Sequence, residues 1–427
     1  MQKKIIALAV VGALAAAPAM AQTNVTVYGS IDMGFSHRGD SYQDSTSNKN
    51  SIDSGMAMGN RLGFKGVEDL GNGLKALFTL EAGFNGDDGT QGQGGRLFGR
   101  QAFVGLTSDY GTVIAGRLYT PHYSFLSALD PFKDGTVGRY SNVMGITPEY
   151  VPVGYPTNMG GNNWKDNLDS SKKMDDDYTG AHGLFNPQRV DNAVAYVSPT
   201  WFGGFNVTAA YSNNAYGQEK TGNKGDNRVV AILPRYTNGP IDIGVSFHQI
   251  RLAHGYGDDG ASQFSQHVGL DNDQKITNWA VGGSYDFGNI FGDAGLKISA
   301  FYDHNKWEDF TLNSGAGTAA TARDDIELKS WMIGAEMPIG KHTIMLSYNH
   351  SKLDAGDIDS DSTVKQWALG YKYSLSKRTS LYAAYANISQ DDEGDSAVFG
   401  NRGSVGDNSN AGDSYQNGFQ FGLNHTF

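Results

Sequence analysis

Few side chains in this 427-residue chain are grouped as chemistry would require. His350-Ser351 and His304-Asn305 carry the groups of an ester-hydrolysing site, but only as scattered neighbours. Catalysis needs a nucleophile in hydrogen-bond reach of a base that a third group orients, and no such arrangement is legible here. The ten histidines are spread along the chain as chance would place them. Asp175-Asp176-Asp177 and Asp391-Asp392-Glu393 are oxygen-rich and could hold Ca²⁺. Neither run has the Asp-x-Asp-x-Asp-Gly spacing of an EF-hand loop, so both read as solvated loop acids. The G-x-G triplets at Gly71 and Gly315 lack the strand–helix context of a phosphate cradle and read as turn glycines. The residues point to no enzyme, no cofactor and no metal.

The elements are clearer than the chemistry. Counting back by twos from the C-terminus gives Phe427, His425, Leu423, Phe421 and Phe419, with Thr426, Asn424, Gly422, Gln420 and Gly418 between them. A period of two with one greasy and one small, polar face is a β-strand between an apolar and a wet environment. The same alternation opens the chain: Val25, Val27, Ile31, Met33 and Phe35 oppose Thr26, Tyr28, Ser30 and Asp32. It returns at Leu74 to Phe84, at Ile241 to Phe247, at Leu296 to Tyr302 and at Trp367 to Leu375. The parities of 97–106, 111–119 and 325–336 do not say which face is which.

Short turns fall near 69–73, 108–111, 199–204, 237–240, 288–294, 338–341 and 375–378. Long polar connections fall near 37–56, 85–95, 120–188, 213–227, 252–273, 304–325, 352–362 and 391–414. Fifteen connections imply about sixteen strands, each near the roughly ten residues that a tilted membrane strand needs. Short turns on one rim and long loops on the other describe an all-β, transmembrane, antiparallel up-and-down barrel, closed because lipid tolerates no free sheet edge. The connection 120–188 breaks scale, with Pro121, Pro131, Pro148, Pro152 and Pro156 and no convincing strand. A loop of that length is usually functional or disordered, and a sixteen-stranded lumen is wide enough to receive one. Its first part, Pro121 to Tyr140, is expected inside the lumen, and 160–182 on the surface.

The totals agree. There are 57 glycines, 11 prolines and no cysteine. Mean hydropathy is −0.42, which in a barrel reflects dilution of lipid-facing residues by polar lumen ones. Lys3 and Lys4, the apolar run Ile5 to Ala17 and Ala19-Met20-Ala21 form an export signal over residues 1–21, leaving 22–427 as one barrel domain. Net charge is −12, or −14 once Lys3 and Lys4 leave with the signal. No basic stripe is present, so nucleic acid is disfavoured as a partner.

Four stretches carry a resemblance: RLGFKGVEDLGNGLKALFTLE, GRQAFVGLTSDYGTVIAGR, DNAVAYVSPTWFGGF and the terminal GLNHTF. They resemble the Gram-negative general porins, especially the β-proteobacterial kind, over the whole mature chain. The resemblance implies a homotrimer in the outer membrane, surrounded by lipid and lipopolysaccharide, with the third long loop forming a constriction. Small hydrophilic solutes and ions would diffuse through passively. It implies a basic wall of Arg61, Arg100 and Arg189, with Lys65 on Arg61's parity and Arg117 nearby. Asp130, Asp134 and Glu149 would be the opposing acids, with Lys133 weakening that face. Phe427, His425 and Leu423 would be read by the barrel-assembly machinery, and the glycine-rich stretch 85–95 would latch onto a neighbouring barrel. An arginine-rich eyelet implies mild anion preference while acidic outer loops attract cations, which leaves selectivity open. The alternatives are a channel selective for organic acids or sugars and, less favoured, a phospholipase-type barrel.

Overall fold

The computed structural model describes residues 24–39, 49–144, 187–215, 228–251, 275–308, 311–312, 321–322, 325–354, 362–392 and 417–427. The export signal, the 160–182 stretch and Asp175-Asp176-Asp177 lie outside them. In chain order the strands are β1 (Asn24–Gly39), β2 (Lys49–Ser54), β3 (Arg61–Gly71), β4 (Leu74–Gly83), β5 (Gln101–Ser108) and β6 (Gly111–Tyr119). Two helices follow, α1 (Pro121–Leu129) and α2 (Ser141–Met144). Then come β7 (Arg189–Val197), β8 (Phe205–Ser212), β9 (Arg228–Asn238), β10 (Ile241–Arg251), β11 (Lys275–Phe291) and β12 (Ala294–Glu308). The small ribbon β13 (Thr311–Leu312) and β14 (Thr321–Ala322) precedes β15 (Ile326–Ile339), β16 (His342–Asp354), β17 (Ser362–Ser374), β18 (Thr379–Asp392) and β19 (Asn417–Thr426).

All but the ribbon belong to one 17-stranded antiparallel sheet. Both β2 and β3 pair with β1, as two pieces of one broken strand, so the wall has sixteen positions. The sheet closes where β1 pairs with β19, from Ser30 opposite Thr426 to Gly39 opposite Asn417. Gly29 and Phe427 exchange both backbone hydrogen bonds at 3.1 Å, so the last residue completes the seam. Closure leaves no unpaired edge, which is the condition for a sheet to sit in lipid. Val104, Leu106, Ile243, Ile333 and Leu369 point outward and are exposed, giving the barrel an apolar belt. Among the described residues no helix is long and apolar enough to cross a membrane.

All seven short turns fall where expected. Several long connections start later, because β1, β12, β16 and β18 run on as polar hairpin arms beyond the bilayer, where no greasy face is needed. The expected loop 37–56 in fact contains β2, a short polar strand. The break between β2 and β3 is a built feature. Asp32 of β1 accepts N–H groups from Met56 and Ala57 and the hydroxyl of Tyr382 at 2.7 Å, while Asn60 accepts the Asp32 N–H.

The described first part of the long third loop, residues 121–144, folds into the lumen and lines the wall. Thr120 caps α1 by accepting the Tyr123 N–H, and Pro121 takes the first helical position, where its missing donor costs nothing. Phe125, Leu126 and Leu129 are fully buried against the wall. His122 Nδ1 lies 3.1 Å from Ser246 Oγ and its Nε2 3.2 Å from Asp303, so the helix is pinned to β10 and β12. The wall provides room through inward-facing glycines. A Cβ at Gly244, Gly282, Gly334 or Gly370 would collide with Phe125, Leu129, Pro131 or Phe132 respectively. The loop tip then reaches the broken strand: Thr136 N–H donates to the Met56 carbonyl, and Val137 N–H to Gln420 at 2.8 Å. Gln366 donates to the Gly138 and Arg139 carbonyls at 3.0 Å and accepts from Asn142 of α2. Phe125→Ala should therefore cost about 3 kcal/mol, because the vacated space faces a glycine and cannot refill. A thermal-denaturation midpoint unchanged from the parent protein would show that this side chain does not anchor the loop.

Candidate functional site

At the root of the loop, side chains of the adjoining wall converge on one tyrosine. Arg100 precedes β5 and donates through its terminal nitrogen to Tyr119 Oη at 2.9 Å. Arg189 opens β7 and donates to the same oxygen at 2.8 Å, with its guanidinium 4.5 Å from the Tyr119 ring centre. Tyr119 in turn stacks on Tyr123 of α1 at 5.4 Å, tying the basic wall to the inserted loop. Arg61 lies on the neighbouring inward row, 3.8 Å from Glu81, and Arg100 Nε donates to the same carboxylate at 3.0 Å. Lys65 sits 5.1 Å above the Tyr28 ring, whose hydroxyl donates to Glu81 at 2.9 Å. The structure thus brings Arg61, Lys65, Arg100 and Arg189 onto one stretch of inner wall.

Glu81 is at the centre of this cluster, and the sequence reading did not single it out. It is 2% exposed and touches two guanidiniums and a phenol, so it orients the arginines while cancelling part of their charge. The available signal was its place on the polar parity of β4.

Arg117 is held differently. Opposite it, β7 spends two residues, Asp191 and Asn192, and the register shifts between Gly116 and Leu118. Asn192 takes a left-handed φ of 50° there. The bulge aims Arg117 at Asp191, 2.6 Å away, and its Nε donates to the Gly99 carbonyl at 2.6 Å. Arg96 shares the same carboxylate at 2.8 Å. Arg117 is therefore a buried member of a wall network rather than part of the Tyr119 group.

The loop acids divide in the same way. Asp130 is fully buried and accepts the backbone N–H groups of Phe132, Asp134 and Tyr140, so it shapes the loop from within. Burial pushes its carboxyl up to about 7, against the downward pull of those N–H donors. Asp134 is half-buried and held by Ser141 and by Gln188 at 3.3 Å, the residue that precedes Arg189 in the chain. Burial above all, and the Asp134 charge after it, push the Tyr123 phenol up. Glu149 lies outside the described residues. Lys133 donates to Glu336 at 3.0 Å on the far wall, where Lys297 also approaches that carboxylate. Among the described residues no group of histidines and carboxylates is placed to hold a metal.

Phe427, His425 and Leu423 all face outward at the seam. The Phe427 ring occupies the space that a side chain at Gly29 would fill.

A Gram-negative porin family profile matches residues 7–393. The chain is 31% identical to outer membrane porin protein 32 of Delftia acidovorans over 432 residues, which spans 100% of both. It is 28% identical to an outer membrane porin protein of Bordetella pertussis over 90% of this chain and 93% of that one. Among solved structures, an anion-selective porin from Comamonas acidovorans is similar with a TM-score of 0.65 and 26% identity, covering 95% of this chain and 100% of that one.

Proposed function

The chain belongs to the Gram-negative porin family, and from that premise we propose a passive diffusion channel that favours small hydrophilic anions. It is an outer-membrane porin, and the closed barrel is its route across the bilayer. The observation that carries the anion preference is the group of cations gathered around the Tyr119 cluster and the inserted loop. Arg61, Lys65, Arg100, Arg189, Lys133 and Lys297 face Glu81, Asp134 and Glu336. Arg235 with Asp242 and Arg38 with Asp53 are paired and cancel. The chain as a whole is −12, so this group of cations stands out against an acidic protein. Guanidinium stays charged at any physiological pH, and a narrow wet passage with low-dielectric walls concentrates its field.

In this reading the Tyr119 group and Asp134 form the eyelet, and Asp130 stiffens the loop that bounds it. Arg117 supports the wall behind. The similar Comamonas structure is described as anion-selective, which favours the same sign. A channel selective for organic acids is the second reading, since two arginines meeting at one tyrosine suit a carboxylate. Saturable block of chloride current by a dicarboxylate would favour it over general diffusion.

The protein is further proposed to form homotrimers, with the glycine-rich 85–95 stretch contacting a neighbour, and to lose residues 1–21 on export. Planar-bilayer recording tests these points together. Triplet conductance steps with an anion-directed reversal potential in a salt gradient are expected; single steps or a cation-directed potential would refute the trimer or the selectivity. The terminal aromatic is proposed as the assembly signal. Phe427→Ala should cut the assembled, heat-modifiable barrel recovered from outer membranes by on the order of tenfold, since it also opens the seam beside Gly29. Full recovery would assign assembly to other residues.

A further inference from the structure

Behind the inserted helix lies a titratable cluster that solute passage does not use. His122 stands in the first turn of α1 and is 1% exposed. Ser246 and His248 of β10, Asn278 of β11, and Asp303 and Asn305 of β12 are fully buried around it. The two nitrogens of His122 face different partners, Ser246 at 3.1 Å and Asp303 at 3.2 Å. His248 meets the His122 ring edge-on, with centroids 4.8 Å apart, and its Nε2 accepts from Asn278 at 2.8 Å. Asn305 donates to the second oxygen of Asp303 at 2.9 Å.

The elements packed around the pair set its charge. Among the described residues, Asp303 is the carboxylate that touches it. On β9, Arg235 lies beneath Phe125 and is paired with Asp242 of β10. Ala280 of β11 and Ser330 of β15, which flank Asp303 in register, do not titrate. The loop adds the phenols of Tyr123 and Tyr140, and Asp130, whose oxygens accept three backbone N–H groups.

With both rings neutral, the cluster carries the negative charge of Asp303. One proton makes it neutral, and His122 can hold that proton. Its Nε2–H donates to the carboxylate while the Ser246 hydroxyl turns from donor to acceptor at Nδ1. A second proton has no such place. It falls on His248 and turns the nitrogen that accepts from Asn278 into a donor. Two imidazoliums then lie 4.8 Å apart in a buried site, a repulsion that departure of the helix relieves.

We propose that His122, His248 and Asp303 form an acid-operated latch, which holds α1 on the wall at neutral pH and releases it when both rings are charged. The inference rests on the channel reading above and adds to it a response to acid. The signal has a short way to travel. Tyr123, next to His122, stacks on Tyr119, whose oxygen accepts from Arg100 and Arg189. A first turn that leaves the wall enters the lumen and pulls on the tyrosine of the basic wall, so conductance falls in acid.

Single-channel conductance of the full-length barrel from about pH 7.5 to about pH 4.5 spans the range in which imidazoles take up protons. The parent protein should lose about half of its conductance across that range. His248→Gln keeps an acceptor for Asn278 but cannot take the second proton. It should conduct like the parent at neutral pH and lose the response. Lumen carboxylates titrate in both proteins, so their effect on the current cancels in the comparison. Should that variant fail to assemble, Asn278→Asp supplies a second counter-charge and should likewise abolish the response. Helix release is read directly at Ala280, fully buried between Ser246 and Asp303 in register. The chain has no cysteine, so the thiol of Ala280→Cys reports alone. It should be shielded from dithiodipyridine at neutral pH and react in acid. A response shared by the parent and His248→Gln, a parent without one, or a thiol equally shielded in acid would overturn the latch. Absence of conductance at every pH would overturn the channel reading, and the latch with it.

Discussion

Replacing Arg61 and Arg189 together with alanine should lower the anion-to-cation permeability ratio by on the order of tenfold. A unit charge about 4–8 Å from a passing ion is worth about 0.5–1 kcal/mol at the dielectric of water. Two such charges sum to about 1–2 kcal/mol, before salt screening trims the effect. Arg100 is left in place because it is buried against Glu81, and removing it would strand a buried carboxylate. Glu81→Gln supplies the reciprocal measurement. It frees both neighbouring guanidiniums from a counter-charge and should raise the ratio instead. Reversal potentials across a salt gradient report both changes. A double-alanine variant with the parent's reversal potential would remove the basic wall from any account of selectivity.

Excision of residues 121–186 should raise single-channel conductance roughly twofold or more, since a sixteen-stranded wall without its insert leaves a wide aqueous lumen. The operation is geometrically mild. Thr120 N–H donates to the Gln188 carbonyl at 2.8 Å and its hydroxyl to Pro187 at 2.8 Å, so the two ends of the excised segment already lie side by side. A turn of a few residues would rejoin β6 to β7. The size limit for uncharged sugars should rise with the conductance, and selectivity should fall as Asp134 and the Tyr123 stack disappear. Heat-modifiable mobility checks that the barrel still forms. An assembled variant with parental conductance would show that the narrowest point lies elsewhere.

Much of the fold was legible because two solvents press on every strand. Lipid and water on opposite sides impose a period of two, so Phe419, Phe421 and Leu423 could be assigned to one face from spacing alone. Reading failed where the backbone departs from that period or where polar residues stand on the greasy face. Arg117 turns on a bulge opposite Asp191 and Asn192, which parity cannot foresee. In 325–336, Glu327 and Lys329 share the outward face with Trp331 because that end has left the hydrocarbon, so the alternation cancels. The site was legible only in part for a different reason. Arg61 and Lys65 follow strand parity, but whether a carboxylate lines a passage or ties its own loop depends on tertiary contacts. Asp130 is the example: its composition and neighbourhood match Asp134, and only the three N–H groups around it set its role.

The glycines beneath the inserted segment have a consequence for calibre. Gly244, Gly282, Gly334 and Gly370 let the insert sink to backbone depth on four separate staves. In the channel proposed above, the free bore then depends on absent methyl groups under the insert and not only on the arginines proposed to choose the ion. Width and charge preference can therefore drift independently in related conduits, one glycine-to-alanine step narrowing the bore without touching its sign.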